Sequence, residues 1–163
     1  MKKNLMHYTL IGLALIVSAC GSATPSTTSG ATTPVVPVTG LGTGTPSAPA
    51  LVNVSQNPAL GSFLVDGKGM TLYLYTIDKP NTSNCYDSCA AAWPPFLTDG
   101  APTAGSGVNG SLLGVTTRKD GATQVTYNGW PLYYFVSDKA PGDTKGEGVQ
   151  NVWYVVTPEG SQK

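Results

Sequence analysis

A gapless internal repeat constrains this chain more than any other feature. Shifting the sequence by sixty positions lays Gly69 on Gly129, Leu72 on Leu132, Tyr73 on Tyr133, Tyr75 on Phe135, Asp78 on Asp138, Lys79 on Lys139, Trp93 on Trp153 and Gly100 on Gly160. Two copies are too few for a solenoid, which needs about three stacked units to bury a continuous core. The copies, at about 58–100 and 118–160, are therefore expected to be two halves sharing one core about a pseudo-twofold axis, each half unstable alone.

The local signals within and between the copies are those of strands. Phe63-Leu64-Val65 and Thr71 to Tyr75 flank an Asp66-Gly67-Lys68-Gly69 turn. Leu112 to Thr117, Thr123 to Tyr127 and Pro131 to Val136 are separated by Asp120-Gly121 and Asn128-Gly129, and a last run spans Val152 to Thr157. Asp-Gly and Asn-Gly between β-branched and aromatic runs mark hairpins, because both turn residues tolerate positive φ. One short helix is expected near Cys89 to Trp93, through Ala90-Ala91-Ala92, stopped by Pro94-Pro95. The fold class is mainly β: a small single domain, 51–163, of antiparallel strands and hairpins built from two sequence repeats.

The N-terminal third reads as an address and a spacer. Lys2 and Lys3 precede an apolar stretch, Leu10 to Val17, too short to span a bilayer but suited to a signal peptide. Val17-Ser18-Ala19-Cys20 closes it as a lipobox, with small residues for the peptidase and a thiol to accept diacylglycerol. Residues 1–19 are thus expected to be a lipoprotein signal peptide and Cys20 the lipidated residue, an anchor made effectively permanent by two or three acyl chains. From Gly21 to about Ala50 the chain is uncharged Ser, Thr, Gly, Ala and Pro with occasional Val and Leu, a flexible tether with a reach on the order of 30 Å. The expected location is the cell envelope, on the outer face of the cytoplasmic membrane or on the outer membrane, facing the periplasm by default.

Cleavage before Cys20 would remove His7, the one histidine, leaving seven basic against nine acidic residues, a formal charge of −2. Catalytic arrangements that need histidine, histidine-bearing zinc sites and His-ligated haem then fall away, and the charge gives no case for nucleic acid. Neither a metal nor a cofactor is expected. A haem would depend on Tyr, Met70, Lys or thiolate ligands. Cys85 and Cys89, in an exported chain, are expected to form a disulfide that pins the turn before Trp93. A redox-active dithiol is the alternative, weakened by the lack of C-x-x-C spacing.

Tyr73-Leu74-Tyr75-Thr76-Ile77-Asp78 and Tyr133-Tyr134-Phe135-Val136-Ser137-Asp138 both fit Y-x-[FWY]-x-x-D. With these paired motifs, the Cys85/Cys89 pair and Trp93-Pro94-Pro95, the chain resembles the family of predicted bacterial lipoproteins described as a secreted repeat of unknown function, from about Pro58 to Glu159. The resemblance implies an exported, repeated domain; it implies no reaction, ligand or catalytic residue.

On a strand, Tyr73 and Tyr75 project to one face and Leu72 and Leu74 to the other; Tyr133 and Phe135 stand likewise against Leu132, Tyr134 and Val136. The plainer reading is that these aromatics, with Trp93 and Trp153, are core, and that Asp78 and Asp138 accept backbone N–H bonds at turns. The sharper reading makes the aromatic faces a stacking surface for a planar ligand or sugar. Three functions follow. The first and preferred is a membrane-tethered, non-catalytic binding or interaction module with an envelope protein or small planar ligand as partner. The second is an envelope electron-transfer component using Tyr73, Tyr75, Tyr133, Trp130 and Trp153 or a bound chromophore. The third, more remote, is a hydrolase with Asp78 and Asp138 as acid and base.

Overall fold

The computed structural model of the chain describes residues 48–163. The expected signal peptide, Cys20 and nearly all of the expected tether lie outside the described residues. The domain has begun by Ala50, which is buried and donates its N–H to Thr98 Oγ1 at 2.9 Å. Among the described residues, no helix is long and apolar enough to cross a membrane.

Each repeat opens with an antiparallel hairpin. In the first, β1 (Leu51–Asn57) pairs with β2 (Gly61–Asp66), with Val54 opposite Leu64. A two-residue strand, β4 (Thr103–Ala104), lies parallel along the free edge of β1. In the second repeat β5 (Leu113–Thr117) pairs with β6 (Thr123–Tyr127), with Val115 opposite Val125, and β7 (Trp130–Pro131) follows. The hairpins are related by a shift of sixty-one. Leu64 and Val125 each accept from a leucine sixty apart, Leu72 and Leu132, at 3.0 Å, and they donate to Val156 and Phe96 at 2.8 and 2.9 Å. The turn after β6 is one residue shorter than the turn after β2. Gly69 and Gly129 keep these two turns equivalent by adopting φ of +82° and +79°, which costs a residue without Cβ little.

The repeats then exchange their ends. β3 (Tyr73–Tyr75) pairs not with its own repeat but with β8 (Trp153–Val155), Tyr73 opposite Val155 and Tyr75 opposite Trp153. With the halves swapped, Tyr133 bridges Pro95 in the same way. Thr76 N–H reaches Val152 O at 2.9 Å, and its counterpart Val136 N–H reaches Ala92 O at 3.0 Å. At the centre, Tyr73 and Tyr133 donate to each other's carbonyl, both at 2.9 Å, placing a pseudo-twofold axis between them. The single α-helix among the described residues, α1 (Ser88–Ala92), ends where Trp93 N–H caps onto Cys89 O before Pro94-Pro95.

The expectation of one core is corrected to two clusters, each drawn from both repeats. One holds Val52, Leu64, Leu72 and Leu74 with Val125, Tyr127, Leu132 and Val156. The other holds Phe63, Val65, Tyr73, Cys85 and Trp93 with Tyr133, Trp153 and Val155. Strand alternation is the cause: β3 is covered on both sides, so its leucines and tyrosines fill different clusters. Val136 departs from the expected alternation and is 48% exposed. The run 131–136 is also not one strand, because Leu132, Tyr133 and Tyr134 donate to three different segments, at Val125, Tyr73 and Pro94. β1 and β4 carry too many small or polar residues to read as strands in sequence. A short 3-10 turn, Gly110–Leu112, replaces the expected start of β5.

Since both clusters cross the repeats, the halves 48–105 and 106–163 produced separately are expected to show no cooperative thermal transition by circular dichroism. A half that melts cooperatively on its own would contradict the exchange.

Candidate functional site

The exchange of ends brings the two sequence motifs face to face. Tyr73, Tyr133, Trp93 and Trp153 are buried, while Tyr75 and Phe135 are half-buried at the margin of the same cluster. Trp93 and Trp153 stack with ring centroids 3.9 Å apart and planes 3° from parallel. Tyr75 stacks on the outer face of Trp153 at 4.2 Å, and Phe135 on the outer face of Trp93 at 4.1 Å. Four rings thus form one column, Tyr75, Trp153, Trp93, Phe135, with the pseudo-twofold at its middle. Tyr73 and Tyr133 stand edge-on to Trp93 and Trp153 at 5.4 and 5.3 Å, the arrangement ring quadrupoles favour. The ring faces predicted as a stacking surface are packed against one another. Trp130 lies apart from the column, against the leucine-rich cluster.

The carboxylates follow the same crossed pattern. Tyr73 donates its hydroxyl to Asp138 Oδ2 at 2.7 Å, and Tyr133 donates to Asp78 Oδ2 at 2.7 Å. The tyrosine of each motif is therefore answered by the aspartate of the other. The remaining oxygens cap turns: Asn84 N–H reaches Asp78 Oδ1 at 2.7 Å and Lys145 N–H reaches Asp138 Oδ1 at 3.0 Å. Both aspartates are nearly closed off from solvent, at 5% and 7% exposure. Burial pushes Asp78 up to about 6 despite the pull of the Tyr133 and Asn84 hydrogen bonds and the Arg118 charge. Burial likewise raises Asp138, against the Tyr73 and Lys145 hydrogen bonds. Both tyrosines are raised as well, by burial first. Each aspartate is thus turned onto the tyrosine of the other motif and onto a backbone N–H of its own turn.

Sequence reasoning missed the groups that close this polar interior. Arg118, the one arginine of the chain, is buried. It donates to Gln124 Oε1 at 2.7 Å, Ser83 Oγ at 2.9 Å and Cys85 O at 2.9 Å, with its guanidinium 4.4 Å over the Tyr86 ring. Ser83 Oγ is also 2.8 Å from the Tyr133 hydroxyl. A phenol has one proton, so Tyr133 donates to Asp78 and accepts from Ser83, giving a directed chain Arg118, Ser83, Tyr133, Asp78. In the other half a backbone group takes that place: Gly146 N–H donates to the Tyr73 hydroxyl at 3.2 Å. A Cβ on Gly146 would sit 2.7 Å from Tyr73 Cζ and 2.8 Å from Trp93 Cη2, so only glycine lets that backbone approach. An arginine following a strand, or a serine before a cysteine, carries no sequence signal of this role.

Cys85 and Cys89 are joined as a disulfide across a Cα separation of 5.2 Å, with Cys85 fully buried beside the rings. Among the described residues no group of three or more His, Cys, Asp or Glu is placed to hold a metal ion. A cleft of about 510 Å³ opens at the β1–β2 hairpin tip, lined by Gln56, Asn57, Pro58, Gly61 and Ser62, with no motif residue in it.

A family model described as "Secreted repeat of unknown function" matches the chain twice, over residues 54–97 and 114–157. These matches begin inside β1 and β5, so each contains a hairpin, a motif and the tryptophan of one structural half. No curated protein and no solved structure matches the chain.

The raised aspartates fix the sign of a pH dependence. A carboxyl whose pKa is higher folded than unfolded, as for Asp78 at about 6 against 3.8, adds stability that is full below the unfolded value and is lost as pH rises through the folded one. Going from about pH 7.5 to about pH 5 is therefore expected to raise the melting temperature by a few degrees, and Asp78→Asn to flatten that rise. A melting temperature that falls over the same interval would contradict the burial of these carboxylates.

Proposed function

The chain belongs to the family of secreted repeats of unknown function, and we propose that it acts as a membrane-tethered, non-catalytic interaction module of the cell envelope. The observation that carries the reading is where the motif went. Its rings and carboxylates are spent on holding the two halves together, which leaves recognition to the outer surface of the β domain. Four large apolar side chains are exposed on that surface, Leu51, Ile77, Val115 and Val136. Scattered apolar residues are normal on any surface, so they identify no ligand. The lipobox at Val17–Cys20 supports anchoring through Cys20, and the uncharged stretch behind it supports a spacer between lipid and domain.

A second reading, an envelope electron-transfer component, is favoured by the unbroken column of Tyr75, Trp153, Trp93 and Phe135. A visible absorption band that shifts on dithionite reduction of the chain extracted from its own membrane would move the chromophore form of that reading forward.

The tether is tested by feeding cells an alkyne-bearing palmitate analogue. The full chain is expected to carry the label and sediment with membranes, and Cys20→Ala to lose the label. An unlabelled wild-type chain would overturn the anchor.

A further inference from the structure

The ring column has features that packing alone does not require. It is continuous from a half-buried oxidisable ring, Tyr75, through two parallel indoles in contact. Its other end is Phe135, a ring that is hard to oxidise, so the two ends of a nearly symmetric object differ in redox character. Each indole has a tyrosine edge against it, and each of those tyrosines is fully buried and donates to a carboxylate. A neutral acceptor would satisfy a buried phenol at lower cost, because a carboxylate in a dry interior carries a desolvation penalty. Tyr127, just as buried, makes that cheaper choice and donates to the carbonyl of Pro158 at 2.7 Å. At the column, then, two phenols have a base within proton-transfer reach, and the carboxyls there bind a proton more readily than an exposed aspartate.

We infer that the column is a one-electron relay: an oxidising equivalent received at Tyr75 passes to the Trp153–Trp93 pair and comes to rest on Tyr133 or Tyr73, whose phenolic proton moves to Asp78 or Asp138. The external oxidant is an oxygen-centred radical such as a peroxyl radical, which takes the electron and becomes the peroxide anion. Within the core, the O–H bond of the tyrosine breaks and an O–H bond forms on the aspartate. The products are a neutral tyrosyl radical beside a neutral carboxyl, so the core ends with no net positive charge. The inference concerns the domain's response to an oxidant and stands apart from whatever its outer surface binds. Ser83 and Gly146 donate to the oxygens that become radicals, at 2.8 and 3.2 Å, and hold them in place.

Pulse radiolysis of the full chain in detergent, with azide radical as the one-electron oxidant, reads this directly. Azide radical attacks indoles first, and the Trp130→Phe background removes the indole outside the column. The expected trace is an indolyl radical that decays, with a rate independent of protein concentration, into a tyrosyl radical. Tyr73→Phe with Tyr133→Phe is expected to lengthen the indolyl lifetime at least about tenfold, and Asp78→Asn with Asp138→Asn to slow the same step, since a positioned base is removed. Tyr134→Phe is the control, because Tyr134 has a carboxylate partner, Asp66 at 2.9 Å, but lies against Phe96 rather than an indole. It is expected to leave the trace unchanged. Where the double tyrosine variant does not fold, each single variant is expected to lower the tyrosyl yield. Wild-type rate and yield in the double variant, or in both single variants, overturns the relay, as does transfer that scales with protein concentration.

Discussion

A tyrosine hydroxyl carried into a dry core must find an acceptor, and here the acceptor for each motif's tyrosine is the aspartate of the other motif. Much of the domain's organisation is consistent with that demand. For Tyr73 to reach Asp138 while Tyr133 reaches Asp78, the two strands must meet at their tyrosines, as the pair of 2.9 Å backbone bonds between them records. Once they meet there, β3 of the first repeat pairs with β8 of the second, and Tyr133 of the second bridges Pro95 of the first. Trp153 at the start of β8 and Trp93 at the end of α1 are then brought onto the axis, face to face. Leaving one buried partner unpaired costs about 1 to 3 kcal/mol, a large fraction of the stability of a small domain.

The symmetry is broken where the two repeats solve the same local problem differently. Behind Tyr133 stands a side-chain chain from Arg118 through Ser83, with the Cys85–Cys89 disulfide and α1 nearby. Behind Tyr73 stands only the backbone of Gly146, admitted by the absence of a side chain. The loop between Asp138 and Gly146 is instead held by Asp143, which accepts from Lys139 N–H at 2.8 Å and pairs with Lys145 Nζ at 2.7 Å. The hydrogen bond from Lys145, more than that from the Lys139 N–H, keeps Asp143 down at about 2. One half is stiffened covalently and by a buried cation, the other by a surface turn.

The equivalence of the halves, the hairpins after β2 and β5, the short helix before Pro94 and the separation of Leu72 and Leu74 from Tyr73 and Tyr75 were all legible in the sequence. A sixty-residue shift reports which residues correspond, however, not which residues touch, and so it gave no hint that correspondence and contact run crosswise. The same limit hid the one-residue offset of the hairpins, since a shortened turn is invisible where Asp66 and Tyr127 share no chemistry. β1 went unread because Asn53, Ser55 and Gln56 interrupt its valines. Arg118 is the clearest failure: an arginine after a strand, with Asp120 and Gln124 in its own hairpin, looks like a solvated cation, and only the tertiary fold supplies the serine and the carbonyl that complete its burial.

The central claim is that tyrosine and aspartate act as a pair across the repeats, and a double-mutant cycle on Tyr133 and Asp78 in urea unfolding tests it most directly. Tyr133→Phe and Asp78→Ala are expected to be non-additive by about 0.5 to 3 kcal/mol, because either change alone already ends the hydrogen bond. The same-motif pair, Tyr133 with Asp138, is expected to couple more weakly. Additive losses for Tyr133 and Asp78, or stronger coupling within the motif than across it, would contradict the account.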